Sequence, residues 1–130
     1  MIVLDASAVL ELLLGTDRGN RVAERIARPE ETLHAPHLLD LEVAQVLRRY
    51  VTRGEIDEVR AGEALEDLQD LDLNRYPHDV FLDRIWELSH HASAYDAAYL
   101  SLAEALGARL LTTDSRLVEI GGARARVELL

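Results

Sequence analysis

Two stretches of this chain share one pattern. "MIVLDASAVL" at the start and "ARLLTTDSRL" near the end each carry a short apolar run to a single Asp, then turn small and polar. An unbroken apolar run of this length predicts a strand buried on both faces, as in parallel sheets. After the first run, "ASAVLELLLG" sets Val9, Leu10, Leu13 and Leu14 at helical spacing and stops at Gly15, a residue that commonly closes helices. "DRGNRVAERIAR" predicts a short helix through Val22 and Ile26 before Pro29, and "TLHA" before Pro36 a weaker strand. "HLLDLEVAQVLRRYVTRG" predicts a longer helix, with Leu39, Val43, Val46, Leu47 and Tyr50 apolar and Gly54 at its end. "EIDEVRAGEALEDLQDL" follows as another helix, and "LDLNRY" alternates as a strand up to Pro77. "VFLDRIWELSHH" and "YDAAYLSLAEALG" read as helices, the latter stopped by Gly107, and "RVELL" closes the chain as a last strand.

Strands that alternate with helices predict an α/β fold. The expected form is three-layered, α/β/α, around a central and mainly parallel sheet of four or five strands. No linker, low-complexity tract or helical repeat interrupts the pattern, so residues 1–130 are expected to form a single domain.

The pattern also locates the acids. In a parallel sheet Asp5 and Asp114 leave their strands at the same edge, the one where open α/β sheets bind ligands. Each is equally at home as a helix cap. Asp96 completes "SAYD", a capping-box pattern with Ser93 as the cap. It therefore sits in the first turn of a helix that runs into the "LLTTD" strand, and that turn lies at the same edge. Glu42 stands three residues after Leu39 and four before Val46, on the apolar side of its helix. An ionised carboxylate there is costly unless it is paired, bound to a metal or reaches water at the rim. Four carboxylates converging would repel one another, and a hard divalent cation such as Mg²⁺ or Mn²⁺ resolves that repulsion.

Composition narrows the chemistry. The chain has no Cys, and all 14 of its basic residues are Arg. Thiolate nucleophiles and zinc–thiolate sites are thus excluded, as are Schiff-base lysines and the phosphate-binding Lys of a P-loop. A net charge of −10 argues against nucleic-acid binding through bulk electrostatics. It leaves room for an enzyme whose cations reverse the local sign, and it suits a basic protein partner. The absence of cysteine, of a spanning apolar run and of a signal-like N-terminus makes the cytoplasm the expected location, with no membrane role.

Through "MIVLDASAVL", "HLLDLEVAQVLRR" and "YDAAYLSLAEALGARLLTTDSRL", the sequence resembles the PIN-domain ribonucleases. Within them it is similar to the VapC-type toxins of bacterial toxin–antitoxin pairs. The resemblance implies a PIN-like fold and a metal-dependent endoribonuclease that cuts RNA phosphodiesters with Mg²⁺ or Mn²⁺. It also implies a homodimer neutralised by a cognate antitoxin. By position, Asp5, Glu42, Asp96 and Asp114 match the four family acids. Asp5, Asp96 and Asp114 are expected to ligate metal, and Glu42 to help hold it or to orient the attacking water. Ser7, Thr112 and Thr113 match the accompanying hydroxyls. Their bland reading is as turn or cap residues.

Arg48, Arg49 and Arg53 cluster on the Glu42 helix as candidate RNA phosphate contacts, although such a run is more often a solvated face. His90 and His91 are expected to close a helix, and Trp86 and Leu88 to lie in the core. "VLELLLG" and the next helix are the expected dimer or antitoxin surface, with the core as the alternative. Because the antitoxin faces an acidic pocket, it is expected to insert a basic segment there. Two rival functions remain: a PIN-like interaction module that no longer cuts, and a metal-dependent DNase.

Overall fold

The structure is a computed structural model that describes all of residues 1–130. Its five strands are β1 (Ile2–Leu4), β2 (Leu33–Pro36), β3 (Leu73–Tyr76), β4 (Arg109–Thr112) and β5 (Arg126–Leu129). They form one wholly parallel sheet in the order β3-β2-β1-β4-β5. The helices are α1 (Ala6–Leu14), α2 (Asp17–Ile26), α3 (Leu38–Thr52), α4 (Glu58–Asp70), α5 (Leu82–Glu87) and α6 (Ala94–Leu106). α1 packs on α2, α3 and α4, while α6 covers the central strands with α5 beside it. This is the three-layer architecture expected from the alternation of elements. No helix is long and apolar enough to cross a membrane.

The central strands are apolar because both of their faces are covered. Ile2, Val3, Leu4, Leu110 and Leu111 are all buried. The register pairs Leu4 with Leu111, so the chain leaves β1 and β4 at the same level. From β1 the connections run one way to β2 and β3, and the other way to β4 and β5. The gap between β1 and β4 is therefore the point where the strand order reverses, and there the ends of the strands and the starts of the helices leave a crevice.

α1 and α2 are joined by a tight corner. Gly15 closes α1 at φ 66°, in the left-handed region that glycine adopts without penalty. Gly19 in α2 then lies directly against α1, where a Cβ would fall 1.9 Å from the Glu11 carbonyl oxygen. Only a residue without a side chain allows this approach.

Four expectations are corrected. The "VFLDRIWELSHH" segment divides into a short 3₁₀ turn over Asp79–Phe81 and the six-residue α5. His90 and His91 therefore lie exposed beyond the helix end instead of closing it. Ile85 and Leu88, three residues apart, take the core-facing side of this segment. Trp86 is turned to the other side and is 78% exposed, whereas Leu88 is in the core as expected. The apolar residues of α1 are not surplus: Leu10 and Leu13 are buried, and Leu12 and Leu14 pack against the core. The exposed apolar side chains lie elsewhere and include Leu41, Leu82, Trp86 and Tyr95.

Candidate active site

All four acids line one cleft of about 320 Å³ at the carboxyl edge of the sheet. Asp5 follows β1 and Asp114 follows β4, on either side of the reversal point. Asp96 comes from the first turn of α6, and Glu42 from the second turn of α3. A larger hollow of about 400 Å³ lies by Gly107 and Arg126, at the opposite edge, and contains none of the four.

The capping reading and the site reading hold together. Asp5 caps α1 by accepting the Ala8 N–H at 2.9 Å. Ser93 caps α6 by accepting the Asp96 N–H at 3.1 Å. Asp114 caps the short 3₁₀ turn over Ser115–Leu117. Helix N-termini carry a partial positive charge, so this edge of the sheet gathers local fields that favour anions.

Asp5 is the most firmly held. Ser7 Oγ donates to its Oδ1 at 2.7 Å, and Thr112 Oγ1 donates to its Oδ2 at 2.5 Å. Thr112 is wholly buried and accepts the Asp114 N–H at 2.9 Å, while Ser7 Oγ accepts the Thr113 N–H at 3.1 Å. A buried carboxylate is thus wired through hydroxyls to the loop that carries the next one. The Thr113 side chain makes no hydrogen bond, and this residue joins the network through its backbone alone.

Glu42 lies at the rim of the core face of α3. Leu39, Val43 and Leu47 form the buried stripe. Glu42, Val46, Arg49 and Tyr50 form the adjacent one, which lines the cleft. Glu42 Oε1 accepts a 2.6 Å hydrogen bond from the hydroxyl of Tyr99, a buried residue of α6. Tyr99 is the site residue that sequence reasoning missed. Its signal was the spacing of three from Asp96, which sets both on one side of α6. Of the three clustered arginines, Arg49 reaches the cleft, while Arg48 and Arg53 are exposed and outside its lining.

Burial pushes the Asp5 carboxyl above its ordinary range, against the pull of its hydrogen bonds, and the charge of Asp114 adds to the rise. Burial also raises Glu42 despite the Tyr99 hydrogen bond, with Asp96 and Asp5 adding repulsion. Asp96 is raised by burial too, with Asp114 adding to it. Asp114 moves the other way, held below its usual range by the Arg116 guanidinium. Tyr99 is kept protonated by burial and by the negative charge of Glu42. Three partly desolvated carboxylates raised side by side are a site that favours a proton or a cation.

The donor set is all oxygen, which fits Mg²⁺ or Mn²⁺ and not a thiolate-preferring metal. The side chains are not drawn into a cage: no three His, Asp or Glu form a ready coordination cluster.

A sheet edge of this topology, bearing carboxylates from both sides of the strand-order reversal, marks a parallel α/β fold with an acidic cleft at its switch point. The family model described as "PIN domain" matches residues 2–123, and the chain belongs to that family. Within it the chain is similar to ribonuclease VapC9 of Mycobacterium tuberculosis, with 39% identity over 130 residues covering 100% of this chain and 98% of the relative. It is similar also to ribonuclease VapC1 of the same organism, with 42% identity over 129 residues covering 98% and 96%. Among solved structures, a toxin–antitoxin complex from Klebsiella pneumoniae shares the fold at a TM-score of 0.67 and 18% identity, covering 98% of this chain and 96% of that one.

The hydroxyl network predicts a contrast between neighbours. Thr112→Val leaves Asp5 Oδ2 without its buried donor and costs about 1–3 kcal/mol in stability. Thr113→Val breaks no hydrogen bond and stays within about 0.5 kcal/mol of the parent. Urea unfolding of both variants measures the difference, and equal effects would contradict it.

Proposed function

We propose that this chain, acting as a single domain over residues 1–130, is a metal-dependent endoribonuclease and the toxin of a toxin–antitoxin pair. The observation that carries the reading is the convergence of Asp5, Glu42, Asp96 and Asp114 on one cleft at the strand-order reversal. The names of the VapC relatives support RNA as the substrate, and the Klebsiella complex supports an antitoxin as the partner.

In this reading Asp5, Asp96 and Asp114 hold Mg²⁺ or Mn²⁺. A cation held there would offset the charge of the acids and of the phosphate and would make water a better nucleophile. Ser7, Thr112 and the Ala8 N–H keep Asp5 in one orientation, so its carboxylate does not turn when substrate arrives. Tyr99 occupies Glu42 Oε1 and leaves Oε2 free to accept the proton of the attacking water. Burial raises the Glu42 carboxyl above its ordinary range, which makes its carboxylate a stronger base than a free one. Water adds at phosphorus, one P–O bond breaks, and the departing oxygen gains a proton from solvent. Arg49, on the cleft wall, contacts the RNA backbone.

The antitoxin inserts an Arg or Lys into the acidic cleft, where a cation of the protein type replaces one of the metal type. The homodimer forms through the exposed apolar side chains of α3, α5 and the start of α6. Leu41 and Tyr95 border one surface hollow there, and Leu82 and Tyr95 border another.

The test is incubation of purified, partner-free protein with total cellular RNA in Mg²⁺, in Mn²⁺ and in EDTA. Discrete cuts are expected only with metal, reduced roughly a hundredfold or more in Asp96→Asn. A folded, Mn²⁺-binding protein that leaves all RNA intact would overturn the reading. Sedimentation of the same preparation is expected to give a dimer and Trp86→Glu a monomer; a monomeric parent would remove the dimer from the account.

A further inference from the structure

Three acids of the cleft are held by different kinds of partner. Asp5 is held by neutral hydroxyl and amide donors, and Glu42 by a phenol. Only Asp114 is held by a cation. Every hydrogen bond to its carboxylate comes from Arg116. The backbone N–H reaches Oδ1 at 3.0 Å, Nε spans both oxygens at 3.1 and 3.2 Å, and Nη2 reaches Oδ2 at 2.7 Å. The 3₁₀ turn at Ser115–Leu117 brings the arginine back over the acid two residues before it. The guanidinium lines the cleft mouth and is also near enough to Asp96 to act on its charge. Yet the Arg116 side chain is 82% exposed and has no other hydrogen-bond partner. An ion pair so open to solvent contributes little and is readily exchanged.

These facts are unusual for a structural pair. A guanidinium placed to stabilise the fold would be packed and bonded on several sides, as Arg84 is to Glu104, Glu87 and the Gly122 carbonyl. Arg116 instead covers Asp114 with a single loose charge, and no neutral side chain donates to that carboxylate.

We infer that Arg116 is an exchangeable counter-cation: it holds Asp114 in the metal-free chain, yields that carboxylate to an entering divalent cation, and then binds a phosphate of the RNA. The inference rests on the proposed function: its first half on the metal site and its second on RNA as the substrate. When a cation reaches Asp114, the guanidinium loses its partner and is repelled by the ion. An RNA phosphate beside the same acid offers a new bidentate acceptor that matches its planar fork. Arg116 thus keeps the cleft from carrying four bare charges, and does so without blocking the site. It is a substrate-positioning residue and takes no part in proton transfer.

The test compares the full chain with Arg116→Ala and Arg116→Lys. Mn²⁺ binding, measured by calorimetry without RNA, is expected to tighten roughly two- to fivefold in Arg116→Ala, because a competing cation is gone. Binding of a labelled mixed-sequence single-stranded RNA in Mn²⁺, read by anisotropy before cuts accumulate, is expected to weaken several-fold. Its dependence of log affinity on log salt is expected to flatten by about 0.7, the loss of one phosphate contact. Arg116→Lys keeps the charge and lacks the fork, so its salt dependence stays near the parent's while part of the affinity is lost. These opposite shifts in metal and RNA binding are the signature of exchange. Mn²⁺ affinity that is unchanged or weaker in Arg116→Ala would overturn the first half. RNA affinity and salt slope equal to the parent's would overturn the second. Absence of RNA binding by the unmodified chain would instead overturn the nuclease reading.

Discussion

The structure turns on a single electrostatic constraint: several carboxylates share a small, partly dry cleft and cannot all be charged without compensation. Asp5, Glu42 and Asp96 are each raised by burial, and each feels at least one of the other acids. What surrounds them answers that constraint. Hydroxyls and a backbone amide bind Asp5, a buried phenol binds Glu42, and an exposed guanidinium binds Asp114. The helix and turn N-termini at the same edge add favourable partial charge. Each device lowers the repulsion, and together they leave three of the acids with raised affinity for protons. A divalent cation is the natural completion of such a site.

The fold makes this arrangement possible by topology. Because the sheet is wholly parallel, every strand delivers its carboxyl end to one edge. Reversal of strand order between β1 and β4 opens the crevice there, and residues far apart in sequence meet across it. Asp5 and Thr112 are 107 positions apart and share a buried hydrogen bond. The register that pairs Leu4 with Leu111 sets that distance, so β1–β4 pairing is part of the site as well as of the core.

Much of this was legible in the sequence. The apolar runs ending in Asp5 and Asp114 gave the two central strands, and their polarity change located the site edge. The helix pattern around Glu42 was readable to within one stripe: the residue lies beside the core face, where the cleft replaces a packing partner. Other features were hidden for physical reasons. Tyr99 reads as one more apolar position of α6, and only the meeting of α6 with α3 makes its hydroxyl a partner of Glu42. Arg116 follows an Asp by two residues, a spacing that brings no side chains together along a helix, and the 3₁₀ turn is what folds it back over the acid. Trp86 was expected inside because tryptophan usually buries area. The core side of this short segment is taken by Ile85 and by Leu88 just past the end of α5.

The central claim is that the acids act as one site whose repulsion a divalent cation relieves. Its most direct test is the shift in melting temperature produced by Mn²⁺, followed from about pH 4 to pH 7.5. Asp5, Glu42 and Asp96 have pKa values raised on folding. Their contribution to stability is therefore present below the unfolded carboxyl range and is lost as pH rises through the folded values. Mn²⁺ should restore what is lost. The account predicts a shift close to zero at the acidic end that grows as pH rises through the folded values of these acids and is largely absent in Asp96→Asn. A shift that is independent of pH, or the same in Asp96→Asn, would contradict it.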